Sequence, residues 1–132
     1  MKIAVDTNIL VRLLTNDDAA QGAIAATLLR EAEAVVVTVP TLCELVWVLS
    51  RGYKLPAADL ARAIRGLLNS GNVVMDRPAV QAGLDLLDSG GDFADGAMAH
   101  QGRQLGAECF ISFDRKAVQL LLAAGHSASV AA

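Results

Sequence analysis

Apolar positions along the chain switch repeatedly between a period of two and a period near three and a half. Lys2 to Val5 is a short β-type run that stops at Asp6, and Asn8 to Leu14 then places Ile9, Leu10, Leu13 and Leu14 at helical spacing. Asp17 and Asp18 stand at the start of a second helix reaching Glu33, where carboxylates complement the positive end of the macrodipole. The β-branched run Ala34 to Val39 is wholly apolar, as in a strand covered on both faces. Pro40 and Thr41 open a helix to about Arg51, with Leu42, Leu45, Val46 and Leu49 on its core side. Pro56 to Leu68 is amphipathic, with Leu60, Ala61, Ile64, Leu67 and Leu68 opposite Arg62 and Arg65. A short strand at Val73 to Met75, a helix at Pro78 to Leu87 and an Ala-rich helix from Asp92 to Leu105, closed by Gly106, come next. Glu108 to Phe113 gives another strand, ending at Asp114, and Ser127 to Val130 a short edge strand. Strands alternating with helices predict a parallel sheet in an α/β sandwich. No repeat, low-complexity block or linker interrupts residues 1–132, which read as one domain.

Composition narrows this picture. Of 132 residues 54% are hydrophobic, 4% aromatic and 19% charged, so the apolar content is aliphatic and suits close-packed helices rather than a disordered chain or an aromatic stacking platform. Val118 to Ala132, within the longest uncharged stretch, is too short to span a bilayer and is broken by Gln119, Gly125, His126 and Ser127. The N-terminus meets Asp6 after three apolar residues, unlike a secretory signal, and a cytoplasmic location is expected. Cys43 and Cys109 have no metal-type spacing and read as two buried, reduced thiols. A formal charge of −3 argues against a general polyanion binder.

The carboxylates hold the chemistry. Active sites of open parallel sheets gather outside the carboxyl ends of the strands. Asp6 follows the first strand, Glu44 lies in the first turns after the second, and Asp114 follows the late one. Asp92 and Asp95, three residues apart, occupy adjacent turns of one helix face, and join that rim if an extended connection carries the helix start there. Each acid also has a plain structural role open to it. Asp92 after Gly90-Gly91 suits an N-cap with Asp95 as its capping partner, Asp6 a turn before the first helix, and Asp114 an N-cap before Arg115. Glu44 differs, because apolar residues surround almost the whole circumference of its helix; partial burial is expected, with no Lys or Arg within a turn to neutralise it. Four carboxylates converging at about 6 Å would repel by roughly 3 kcal/mol per pair at an effective dielectric near 20, roughly 15 to 20 kcal/mol in all. A domain of this size is stable by only about 5 to 15 kcal/mol. Protonation, a salt-bridging Arg or a divalent cation would relieve the cluster, and oxygen ligands without Cys or His select Mg²⁺ or Mn²⁺.

Ile3-Ala4-Val5-Asp6-Thr7-Asn8, Pro40-Thr41-Leu42-Cys43-Glu44-Leu45, Asp92-Phe93-Ala94-Asp95-Gly96-Ala97-Met98-Ala99 and Ser112-Phe113-Asp114 resemble, in order, the four acidic signatures of the PIN-domain nucleases. In length the chain is similar to the VapC-type toxins of bacterial toxin–antitoxin pairs. The resemblance implies a three-layer α/β/α sandwich with a central, mostly parallel sheet, and an endoribonuclease that hydrolyses RNA phosphodiester bonds with Mg²⁺, or Mn²⁺. It implies that Asp6, Glu44, Asp95 and Asp114 coordinate metal and activate water, with Asp92 as an additional acid. Thr7 and Asn8 would order Asp6, and Ser112 would support Asp114 from outside the ligand set. A homodimer and a small antitoxin that blocks the acidic pocket are implied as partners, with no membrane. Gly96 stands where a helix-favouring Ala is common, loosening the helix by up to about 1 kcal/mol.

Arg12, Arg51, Lys54, Arg103, Arg115 and Lys116 are the cations available for phosphate contacts. His100 and His126 read as surface or partly buried residues outside catalysis, and Trp47 as core. Two other functions remain open: a receiver-like phosphoacceptor domain, which also has an acidic pocket at strand ends, and a catalytically silent PIN-like binding module. The receiver pattern wants adjacent acids after the first strand and a lysine after a late one, whereas Asp6 stands alone here and the late strand ends in Ser112-Phe113-Asp114.

Overall fold

A computed structural model describes the whole chain, Met1–Ala132. The residues fall into two compact units, Met1–Asp76 and Arg77–Ala132. No helix is long and apolar enough to cross a membrane.

The first unit runs β1 (Lys2–Ala4), α1 (Thr7–Leu14), α2 (Ala19–Glu31), β2 (Ala34–Val36), α3 (Val39–Arg51), α4 (Ala57–Leu68) and β3 (Val73–Val74). Each strand-to-strand connection contains two helices, which gives the chain the length it needs to return parallel. The sheet order is β1-β2-β3, all parallel, with Ile3 opposite Val35 and Val36 opposite Val74. The Asp18 side chain accepts from Gln21 N–H at the helix start that the sequence signalled, whereas α3 starts at Val39, inside the run expected as strand, and is capped there by Thr38 accepting from Thr41 N–H, just ahead of Pro40. Asn72 donates to the carbonyls of Leu29 and Ala32, at 2.7 and 3.0 Å, and so satisfies acceptors at the end of α2 while leading into β3. Leu10, Val35, Val37, Leu42, Leu45, Leu49 and Ile64 form the unit's core.

The expectation that the Ala34–Val39 run is covered on both faces is not met. Val35 and Val37 are fully buried, but Val36 is 36% exposed, and its cross-strand neighbours Ala4 and Val74 are exposed too. Side chains alternate across a strand, so a continuous apolar run does not reveal whether its second face is covered.

The second unit contains α5 (Arg77–Asp88), α6 (Phe93–Gln104), β4 (Phe110–Ser112), α7 (Arg115–Ala123) and β5 (Ala128–Val130), with β4 and β5 parallel. The expected edge strand at the C-terminal end is therefore present, and α7 is its crossover. Gly106, at φ +105°, ends α6 in the left-handed region that favours glycine. Helices α5 and α6 pack through glycine. A Cβ on Gly83 would lie 2.5 Å from Phe93 Cε2, and one on Gly96 would overlap the backbone carbonyl of Ala82. Gly96 is thus not a loosening of α6, as the sequence suggested, but the condition for its close approach to α5. Phe93, Val80, Leu84, Leu86 and Leu121 are fully buried here.

Candidate functional site

Asp6 and Glu44 belong to the first unit. Asp6 occupies the N-cap position of α1, at the carboxyl end of β1, yet its side chain makes no capping hydrogen bond. Its carboxylate is exposed and left to other uses. Thr7, the next residue, is only 5% exposed, the one polar side chain in the chain's buried set, while Asn8 is exposed. Glu44 stands five residues into α3, about 7.5 Å along its axis. Because β1 and β2 are parallel, Asp6 and the start of α3 both follow carboxyl ends of the same sheet.

Glu44 is exposed, contrary to the expected partial burial. Leu42, Leu45, Val46 and Leu49 are enough to seat α3 on the core, and the remaining circumference, with Trp47 62% exposed, faces outward. Trp47 is therefore not core. A helix needs only one stripe to bury itself, so surplus apolar residues on the other faces do not imply enclosure. Arg12 is also corrected as a phosphate contact: its guanidinium donates to Gln21 Oε1 and Asp17 Oδ1, at 2.7 and 3.0 Å, and Tyr53 Oη donates to the same aspartate. Asp17 lies below the usual carboxylate range through that Tyr53 bond first and the Thr15 bond next. This polar clasp ties α1, α2 and the α3–α4 loop.

In the second unit, Asp92, Asp95, Asp114 and Lys116 line one pocket beside Gly90 and Gly91. Helix α6 thus begins where β4 ends, and the connection on which the sequence was silent brings Asp92 and Asp95 to Asp114. Asp92 and Asp114 are N-caps, of α6 and α7; each accepts with Oδ1, from Ala94 N–H at 3.1 Å and Ala117 N–H at 3.0 Å. Capping takes one oxygen and leaves the other to the pocket. Ser112 Oγ accepts from the backbone N–H of Asp114 at 3.0 Å, fixing the turn that presents its carboxylate. Asp95, half-buried in the first turn of α6, makes no hydrogen bond. Burial, then the charges of Asp92 and Asp114, hold its carboxyl above the usual range. Lys116 lines the pocket without an ion pair, a residue that the sequence had only grouped with other surface cations. Its signal was its place in the first turn of α7, two residues beyond a capping acid.

Neither cysteine forms a disulfide, and both are half-buried rather than enclosed. His100 and His126 are half-buried, His126 in a separate pocket with Cys109 and Arg103, and burial holds its imidazole below the usual range. Within either unit, no three His, Cys, Asp or Glu side chains come close enough to hold a metal ion by themselves. The donor set nevertheless fits a hard divalent cation: every acid singled out offers carboxylate oxygen, and none is paired to a cation of its own unit.

No curated protein matches the chain in sequence. Comparison with protein families matches residues 3–120 to one family, described as PIN domain. PIN domains are in general metal-dependent nucleases that act on nucleic acid, and the parallel strands and seven helices found here accord with their three-layer α/β/α fold. The matched span runs from β1 into α7 and includes Asp6, Glu44, Asp92, Asp95 and Asp114; the chain belongs to the PIN domain family.

Proposed function

We propose that the chain is an endoribonuclease dependent on Mg²⁺ or Mn²⁺, with Asp6, Glu44, Asp95 and Asp114 as metal ligands and Asp92 as an added carboxylate. Asp95 carries this reading. Its carboxyl is half-buried, without a hydrogen bond, beside two further carboxylates and with no guanidinium or ammonium paired to it. Charge placed in this way is costly until a counter-charge arrives. A bound divalent ion would lower the pKa of an attacking water and stabilise the charge developing on the phosphate. The chain's own residues prepare for it. Asp92 and Asp114 each keep one oxygen free of its cap, Ser112 holds the Asp114 turn, and Lys116 offers an unpaired ammonium to a phosphate oxygen; Thr7 and Asn8, next to Asp6, would order that acid. The acidic overall charge is compatible with an RNA substrate because a bound cation inverts the local field.

In this reading residues 1–132 act as one domain, and the chain is the cytoplasmic toxin of a VapBC-type pair, a homodimer that a small antitoxin inhibits at the acidic pocket. The order of its four acidic motifs and a family match that spans both units support this. Incubation with labelled RNA in Mg²⁺, Mn²⁺ or EDTA tests the activity. Cleavage is expected only with a cation, and is lost in Asp6→Asn and Asp95→Asn with circular dichroism unchanged. Equal cleavage in EDTA, or full activity in either variant, would contradict the ligand roles. Metal binding without turnover of any RNA would leave a silent binding module instead. Growth arrest on induction of the wild type but not of Asp95→Asn tests the toxin role.

A further inference from the structure

Pro40, Glu44, Trp47 and Arg51 recur on α3 at intervals of four, three and four residues, and all four are exposed. That spacing lines them up on one face of the helix, opposite the buried Leu42, Leu45 and Leu49. Trp47 lies about 4.5 Å beyond Glu44 along the axis, and Arg51 about 6 Å further. The indole is 62% exposed, and the guanidinium of Arg51 is paired with no carboxylate. Here a large aromatic left in water lies between a proposed ligand of the cation and an unpaired guanidinium, so one helix face offers a stacking surface and a phosphate contact beside the proposed chemistry.

The chemistry of the stripe selects among binders. A folded protein docking over Trp47 would have to desolvate Glu44 and Arg51 on either side of it. A single strand of RNA offers Trp47 the face of an unstacked base and Arg51 a phosphate, and leaves Glu44 to the cation that the scissile phosphate would share. A duplex offers no free base face at this surface.

We propose that the Glu44–Trp47–Arg51 stripe is a track for single-stranded RNA: Trp47 stacks on a base next to the scissile phosphate and Arg51 holds a phosphate beyond it. This rests on the nuclease reading of Glu44, and what it adds is a stacking residue and a phosphate contact on α3, neither of which depends on base identity, since every base has a stacking face.

Trp47 is the chain's single tryptophan, so its emission reports on the stripe directly. The full chain is titrated in EDTA with a labelled single-stranded oligoribonucleotide and with a duplex of the same sequence, following tryptophan emission and label anisotropy together. The single strand is expected to quench the emission and the duplex to leave it unchanged. Trp47→Ala should weaken single-strand binding about 5- to 150-fold, with Trp47→Phe closer to wild type. Arg51→Ala should reduce the slope of log affinity against log salt by about 0.7. Emission unchanged at saturating anisotropy, no RNA binding at all, or wild-type affinity in Trp47→Ala overturns the track, including the case in which that variant merely dissociates a dimer. Cleavage assays in Mg²⁺ and Mn²⁺ separate the two readings. Quenching without cleavage by the wild type sinks the nuclease and keeps the track, whereas cleavage without quenching does the reverse.

Discussion

Asp6 and Glu44, in the first unit, are exposed carboxylates that follow strand ends, whereas Asp92, Asp95 and Asp114, in the second, line one pocket in which burial first and the two neighbouring charges next hold the Asp95 carboxyl above its usual range. The two groups carry equal weight in the proposed chemistry but not in the stability of the metal-free chain. Repulsion is stored only where burial prevents water from screening it. Substitutions in the two regions should therefore agree in one readout and part in another.

Activity is where they agree, and where the effect is largest. Asp6→Asn, Glu44→Gln and Asp95→Asn are each expected to reduce RNA cleavage on the order of 100- to 1,000-fold, measured as kcat/KM under single-turnover conditions. A Glu44→Gln variant with near wild-type rate would break the parity of the two regions. Lys116→Ala, which removes a phosphate contact but no ligand, should raise KM by about 5- to 10-fold, in keeping with the loss of one charge-assisted hydrogen bond.

Helix packing separates the regions next. Gly96→Ala forces a methyl into the Ala82 carbonyl and should cost about 1 to 3 kcal/mol in denaturant unfolding despite the better helix propensity of Ala. Gly66→Ala, in α4, meets open space and should stabilise by about 0.5 to 1 kcal/mol. Stabilisation by Gly96→Ala would show that α5 and α6 do not need their close approach.

The smallest effect distinguishes the carboxylates themselves. Asp95 binds its proton more tightly when folded than its ordinary value of 3.8 allows unfolded, so its contribution to stability is complete below that pH and is lost as pH rises through the raised folded value. Asn cannot undergo that loss. Asp95→Asn should therefore gain about 1 to 3 °C in Tm over wild type at pH 7 without metal, and nothing near pH 3. A wild type as stable at pH 7 as Asp95→Asn would mean that the pocket stores no repulsion.

Much of this was legible in the chain. Helix and strand positions followed from periodicity and caps, as Asp18 and Pro40 at helix starts and Gly106 at a helix end show, whereas the Thr38 cap lay hidden in a run read as strand. The acids were legible by position, because Asp6, Glu44 and Asp114 each follow a strand. Covering was not. Val36, Glu44 and Trp47 were all misjudged in the same sense, since apolar neighbours in sequence say what could be buried and only the packing says which face is. Gly96 misled for a related reason: helix propensity is a local property, whereas the Ala82 carbonyl that excludes a methyl arrives from another helix. Lys116 and Arg12, alike as letters, part company in space, one lining the acidic pocket unpaired and the other tied into the Asp17 clasp.

The central claim is that the carboxylates lining the pocket of the second unit take up a divalent cation. Titration of metal-free protein with Mn²⁺, read by the electron paramagnetic resonance of the free ion, tests it without RNA. Saturable binding to the wild type, weakened at least 10-fold in Asp95→Asn, is the predicted result. Binding that survives intact in Asp95→Asn, or a wild type that takes up no Mn²⁺, would contradict it.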